Sequence, residues 1–133
     1  MSQQDKIDAF LAQGPWAVAG ASTNRDKYGN KVLRAYLQHG MSVTAVNPKE
    51  RQVEGVPSYP SLSALPQVPA AVSVITPPSV TAKVLAEAAD LGIGHVWLQP
   101  GAEDDAVLAE AARLGLEPIA GGPCVLVVLG YRE

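Results

Sequence analysis

The chain has 133 residues, 47% of them hydrophobic and 17% charged, with a formal net charge of −3. That length suits one domain over 1–133, and the composition excludes a disordered polymer, a basic nucleic-acid surface and a polybasic membrane anchor. A lone cysteine, Cys124, excludes an intrachain disulfide and suits a reducing cytoplasm, and no apolar run is long enough for a signal core or a bilayer span.

Taken in chain order, Ile7, Phe10 and Leu11 predict a helix ahead of a first strand at Trp16–Ala19. Val32, Leu33, Tyr36 and Leu37 form the apolar stripe of the next helix, which stops at Gly40 and feeds a strand at Ser42–Val46. The stretch 52–66 is rich in Pro, Ser and Gly and reads as a loop holding one short edge strand near Val53–Val56. A strand at Ala71–Ile75 follows. Val80, Val84, Leu85, Ala88 and Leu91 then line a helix that ends at Gly92, before a strand at His95–Leu98. Glu103, Asp104 and Asp105 open the next helix and Arg113 closes it, as the macrodipole prefers. After Gly115 comes a short apolar strand at Glu117–Ala120, and Val125–Leu129 is a wholly apolar tail.

Short, continuous apolar strands are suited to burial on both faces. Their alternation with helices predicts an α/β fold: a single doubly wound, Rossmann-like parallel sheet in three α-β-α layers. The expected strand order is 3-2-1-4-5, with a sixth strand or a tail after Gly121.

In such a sheet ligands bind beyond the carboxyl ends of the strands, at the switch point. Four turns belong there: Gly20-Ala21-Ser22-Thr23-Asn24, Asn47-Pro48-Lys49, Thr76-Pro77-Pro78-Ser79 and Gln99-Pro100-Gly101. The first has the small residues that let a backbone approach a phosphate, although any tight strand-to-helix turn asks for Gly and Ser as well. It is not the dinucleotide fingerprint, because Ser22 stands where the second glycine belongs and Gly29 is too distant for the third. No acidic residue ends the second strand to grip a ribose. Lys49 and Arg51 stand there instead, either as a cationic rim for a ribose phosphate or as solvated loop charges. Arg25 and Lys27 are open to the same two readings. Thr76-Pro77-Pro78 reads either as a rigid, donor-poor wall suited to an adenine or a pantetheine arm or as a plain strand terminator with a proline near the first helical turn.

In this order, Trp16–Ser22, His39–Pro48, Gly55 with Tyr59, Ser61 and Leu62, Ile75–Pro78 and His95–Ala102 resemble the CoA-binding domain family, specifically its small stand-alone members. The same fold forms the nucleotide-binding part of the succinate–CoA ligase α subunit. The resemblance implies coenzyme A as cofactor. Gly20, Ala21, Ser22 and Thr23 would line the pyrophosphate, and Lys27 would add a phosphate contact. Val46, Asn47, Pro48 and Lys49 would meet the adenosine end. Thr76, Pro77 and Pro78 would border the adenine or pantetheine, with Gln99 and Gly101 near the pantetheine exit. It also implies CoA or an acyl-CoA as the small-molecule partner and opens the way to an acyl-CoA ligase-type protein partner. The apolar tail offers a homodimer contact.

No catalytic constellation is expected. His39 and His95 fall at the opposite end of the sheet, Ser22 has no partner histidine, and no His/Cys cluster has metal-ligand spacing. Cys124 reads as a small buried residue or as a thiol facing the crevice and able to form a mixed disulfide with CoA. Three functions stay open: a CoA-binding carrier, sensor or accessory module, an NADP-dependent oxidoreductase using the same crevice, and a structural or regulatory dimerisation module with a vestigial site.

Overall fold

A computed structural model of the chain describes residues 2–132. Its order is α1 (Gln3–Ala12), β1 (Trp16–Ala19), α2 (Tyr28–Gln38), β2 (Val43–Val46), β3 (Gln52–Val53), β4 (Val56–Tyr59), a 3-10 turn (Leu62–Ala64), β5 (Ala71–Val74), α3 (Pro78–Asp90), β6 (His95–Leu98), α4 (Asp105–Arg113) and α5 (Val125–Leu129). The six strands lie in the order β3-β4-β2-β1-β5-β6. All pairs are parallel except β3–β4. The expected order is therefore present as β4-β2-β1-β5-β6, and the order in which the chain adds strands reverses between β1 and β5.

Side chains alternate between two cores, one on each face. Ile7 and Phe10 of α1, Val32, Leu33 and Tyr36 of α2 and Val125 of α5 pack on Val18, Ala45 and Trp97. Leu85 and Ala88 of α3 and Val107 and Ala111 of α4 pack on Ala17, Val72, Val74 and Leu98. The period of two in a strand sends neighbours to opposite cores, and β5 is buried at every position. Trp97 anchors the first core: it meets the Phe10 ring edge-on at 5.3 Å, and its indole Nε1 donates to the Pro123 carbonyl at 3.0 Å.

Three expectations need correction. The edge strand at Val53–Val56 is a hairpin, with Glu54 and Gly55 at φ 50° and 80° as its two-residue turn. Positive φ at both turn positions matches the twist of the flanking strands, and β4 then runs on to Tyr59 beside β2. The strand expected at Glu117–Ala120 is a single bridge from Ile119 to Trp97. Ile119 donates to Val96 O and its carbonyl accepts from Leu98 N, while Pro118 has no N–H to extend the ladder. Finally, the described residues after Gly121 add no strand. Val125–Leu129 is a short helix with Val125 buried and Val127 80% exposed.

Candidate functional site

The site begins with how β1 ends. Gly20 turns the chain at φ 99°, and a Cβ there would collide with the Ile75 carbonyl of the neighbouring turn. Gly29, in the first turn of α2, lies so close to the Gly20 carbonyl oxygen that any Cβ would overlap it. Two bare Cα atoms thus let α2 seat directly on the end of β1.

Two asparagines then orient that loop. Asn47 Nδ2 donates to Ala21 O at 2.7 Å, and its Oδ1 accepts from the Lys49 and Glu50 amides at 2.8 and 3.2 Å. The fully buried Asn30 donates through Nδ2 to Ser22 O at 2.8 Å and to Glu54 Oε2 at 3.2 Å. Arg34 Nε holds Asn30 Oδ1 at 2.7 Å, and another Arg34 nitrogen donates to Arg25 O at 2.8 Å. The carbonyls of Ala21 and Ser22 are therefore engaged by side chains. The amides of Ala21, Ser22 and Thr23 have no partner among the described residues. Free amides on a small-residue turn form an anion cradle.

The cradle opens into a cavity of about 610 Å³, within the usual range for small-molecule sites. Of the residues singled out from sequence, Gly20, Ala21, Ser22, Lys27, Val46, Asn47, Pro48 and Thr76 line it. Thr23, Lys49, Pro77, Pro78, Gln99 and Gly101 stand outside its wall. Pro77 caps α3 and Pro78 opens it, and the buried Thr81 hydroxyl ties the turn to the Thr76 and Pro77 carbonyls at 3.1 and 3.2 Å. The double proline thus fixes where Thr76 sits. Gln99 is fully buried behind Tyr28, and Gly101 is an exposed turn residue at φ 94°.

Much of the wall was not anticipated. Tyr28 and Gly29 come from the start of α2, Pro60, Ser61 and Leu62 from the turn after β4, and Val80, Lys83, Val84 and Glu87 from one stripe of α3. Spacing of three and four along α3 is the signal that links the last group. Lys27 and Lys83 are exposed cations with no ion pair among the described residues. The Glu87 carboxylate instead accepts from Leu62 N at 2.8 Å and Ser63 Oγ at 2.7 Å, which ties the 3-10 turn to α3. The cavity wall therefore combines backbone amides and two cations with the apolar side chains of Leu62, Ile75, Val80 and Val84. That combination suits an anionic ligand with a ring or an aliphatic arm.

The histidines are remote. His39 caps α2 with Nδ1 3.0 Å from Ala35 O, and His95 starts β6. Among the described residues no group of three or more His, Cys, Asp or Glu is placed to hold a metal ion, and no helix is long and apolar enough to cross a membrane.

Two tyrosines tie the site to the core. Burial pushes the Tyr28 hydroxyl well above the usual phenol range, and its contact with Cys124 pushes it further. Burial does the same to Tyr36, partly offset by its hydrogen bond with Ser73. The folded state then keeps both protons above pH ~10, where the unfolded chain loses them, so stability is full below that pH and declines as pH rises past it. Denaturant melts on either side of pH ~10 are expected to show a falling midpoint, with a shallower fall in Tyr36→Phe. Equal pH dependence in the two proteins would contradict this.

The sheet, its switch point and the cavity define a Rossmann-like α/β fold with its cavity at the strand carboxyl ends, where ligands bind in such sheets. The chain belongs to the CoA-binding domain family, whose model matches residues 15–130. It is 30% identical over 102 residues to the ADP-forming acetate–CoA ligase I of Archaeoglobus fulgidus, a match covering 76% of this chain but only 15% of that ligase. Among solved structures it resembles a hypothetical protein from Pyrococcus horikoshii OT3, with TM-score 0.85 and 27% identity over 96% of this chain and 89% of that one. A conserved hypothetical protein from Pyrococcus furiosus is 35% identical with TM-score 0.79, over 85% and 97% of the two chains.

Proposed function

We propose that this chain binds coenzyme A, or an acyl-CoA, in the cavity beyond β1, β2 and β5, and that it acts as a non-catalytic carrier, sensor or accessory module in the cytoplasm. The observation that carries the proposal is the turn at Ala21–Thr23. Its Ala21 and Ser22 carbonyls are held by Asn47 and Asn30, its amides have no partner among the described residues, and Ala21 and Ser22 line a cavity that Lys27 and Lys83 also line. Gly20, Ala21, Ser22 and Thr23 would take the pyrophosphate. Lys27, Lys83 and Lys49 would neutralise the phosphates. Val46, Asn47 and Pro48 would meet the adenosine, and Thr76 with the Pro77-Pro78 turn would border the adenine or pantetheine. Gln99 and Gly101 would stand beyond Tyr28 on the pantetheine side.

The non-catalytic role rests on the cavity's ionisable groups. Glu87 is engaged at both oxygens, and Tyr28 is held protonated, leaving two lysines suited to binding charge rather than moving protons. The ligase kinship supports an accessory role beside an acyl-CoA ligase-type partner.

A thermal-shift panel with CoA, acetyl-CoA, NAD, NADP and ATP tests the reading. A ligand at 100 times its Kd stabilises by about 2.7 kcal/mol, so stabilisation confined to the CoA compounds is expected. Stabilisation by NADP alone would move the assignment to an oxidoreductase, and none at all would point to a dimerisation module with a vestigial site. Lys27→Ala and Lys83→Ala are each expected to weaken CoA about tenfold, roughly 1.4 kcal/mol. Both side chains are exposed, so unfolding midpoints should stay near wild type. Unchanged affinity in both variants would remove the phosphates from this end of the cavity.

A further inference from the structure

Beside the cavity wall lies a small polar cluster whose thiol, Cys124, the binding reading does not use. Tyr28 lines the cavity, and its hydroxyl is in hydrogen-bond contact with Cys124 Sγ. The same hydroxyl donates to Gln99 Oε1 at 3.3 Å, and the Val125 amide donates to that oxygen at 3.0 Å. Because Val125 N–H fixes Oε1, the Gln99 carboxamide cannot flip without setting donor against donor. Its Nε2 is fully buried and has no partner. A buried amide donor without an acceptor is destabilising, and its carboxamide shares the Tyr28 hydroxyl with the chain's one thiol. Cys124 itself is partly exposed and free. One tyrosine side chain thus separates the cavity from a thiol and from a donor that lacks an acceptor.

We propose that Cys124 is a ligand-linked thiol that forms a mixed disulfide with a CoA-type thiol whose nucleotide end occupies the cavity. The proposal rests on the binding reading above. Tyr28 is the gate. When its side chain turns away, the pantetheine arm passes from the cavity to Cys124, and Gln99 Nε2 donates to one of the arm's amide carbonyls. The co-reactant is CoA disulfide. The Cys124 thiolate attacks one sulfur, a new Sγ–S bond forms, and the disulfide's own S–S bond breaks. One CoA departs as thiolate and takes up the proton that Cys124 released. No net oxidant is needed beyond that disulfide, and a second thiol reverses the step.

The test is intact-mass analysis of the full chain after exposure to CoA disulfide and, in parallel, to pantethine, which has the same arm and disulfide but no nucleotide. The expected result is one CoA per chain on wild type and none on Cys124→Ser. The adduct should form at least about tenfold faster with CoA disulfide than with pantethine, since seating the nucleotide raises the local concentration of the reacting sulfur. Tyr28→Phe, which removes the hydroxyl contact, is expected to react faster than wild type. Equal rates with the two disulfides, or no CoA adduct at all, would overturn the proposal. Calorimetry of reduced wild type with desulfo-CoA, which has no thiol, separates the two levels. Binding without adduct formation defeats only the thiol chemistry, whereas absence of binding defeats the cavity assignment beneath it.

Discussion

Replacing Gly29 by alanine is expected to destabilise the fold by about 2–4 kcal/mol and to abolish measurable CoA binding. The sign is informative because propensity alone argues the other way: alanine is better than glycine inside a helix by about 1 kcal/mol. Gly29 is buried in the first turn of α2, and the atom a new methyl would meet is the Gly20 carbonyl oxygen. That oxygen is backbone, and Gly20 N is itself tied to Val46 O at 3.1 Å. Neither partner can rotate aside as a long side chain would. Relief requires α2 to lift off the end of β1, which shifts Tyr28, Asn30 and the Ala21–Thr23 amides together. Gly40→Ala is the control. It lies just past the other end of α2 and has open space around it, so only the strain of its φ of 65° remains, about 1–2 kcal/mol. Chemical denaturation of both variants checks the ranking. A Gly29→Ala protein as stable as wild type would mean that α2 is not seated as described.

Asn47→Asp is the second large effect, expected to fall on binding more than on folding. Aspartate keeps the acceptor that serves the Lys49 and Glu50 amides, so the turn after β2 should survive. It loses the Nδ2 donor and sets a carboxylate oxygen against Ala21 O, 2.7 Å from where that donor stood. The Ala21 carbonyl is then free to turn toward the cavity, and the cradle gains a negative charge where phosphate would sit. Affinity for CoA is expected to fall about 100-fold or more, near 3 kcal/mol, with a stability cost of about 1–2 kcal/mol. Calorimetry beside a denaturation curve separates the two quantities. A variant that binds CoA like wild type would remove Asn47 from the site.

How much of this was legible in the sequence follows from which contacts are local. The four strands β1, β2, β5 and β6 and four of the five helices could be read because Trp16–Ala19, Ser42–Val46, Ala71–Ile75 and His95–Leu98 are short apolar-rich runs and the helices have the period of 3.6. The hairpin was missed because Glu54-Gly55 is a weak turn signal beside the prolines that mark the segment as loop. The ends of β1 and β2 pointed to Gly20–Ser22 and Asn47 because parallel sheets place ligands there. Gly29 was set aside for falling outside a fixed spacing. Its role is to touch Gly20 O across a loop of variable length, and spacing does not encode that. Val80 and Val84 stood on the apolar stripe of α3 with Leu85 and Ala88, yet Val80 is 41% exposed and both line the cavity. Apolar periodicity reports that a face is covered without saying whether protein or ligand covers it.

The most direct test of the central claim is an amide chemical-shift titration of the full chain with CoA. The expected result is a saturable set of changes centred on residues 20–23, 47 and 76, reaching Lys83 on α3 and leaving the His39 and His95 end of the sheet unmoved. Saturable changes centred on that opposite end, or no saturable change at all, would contradict it.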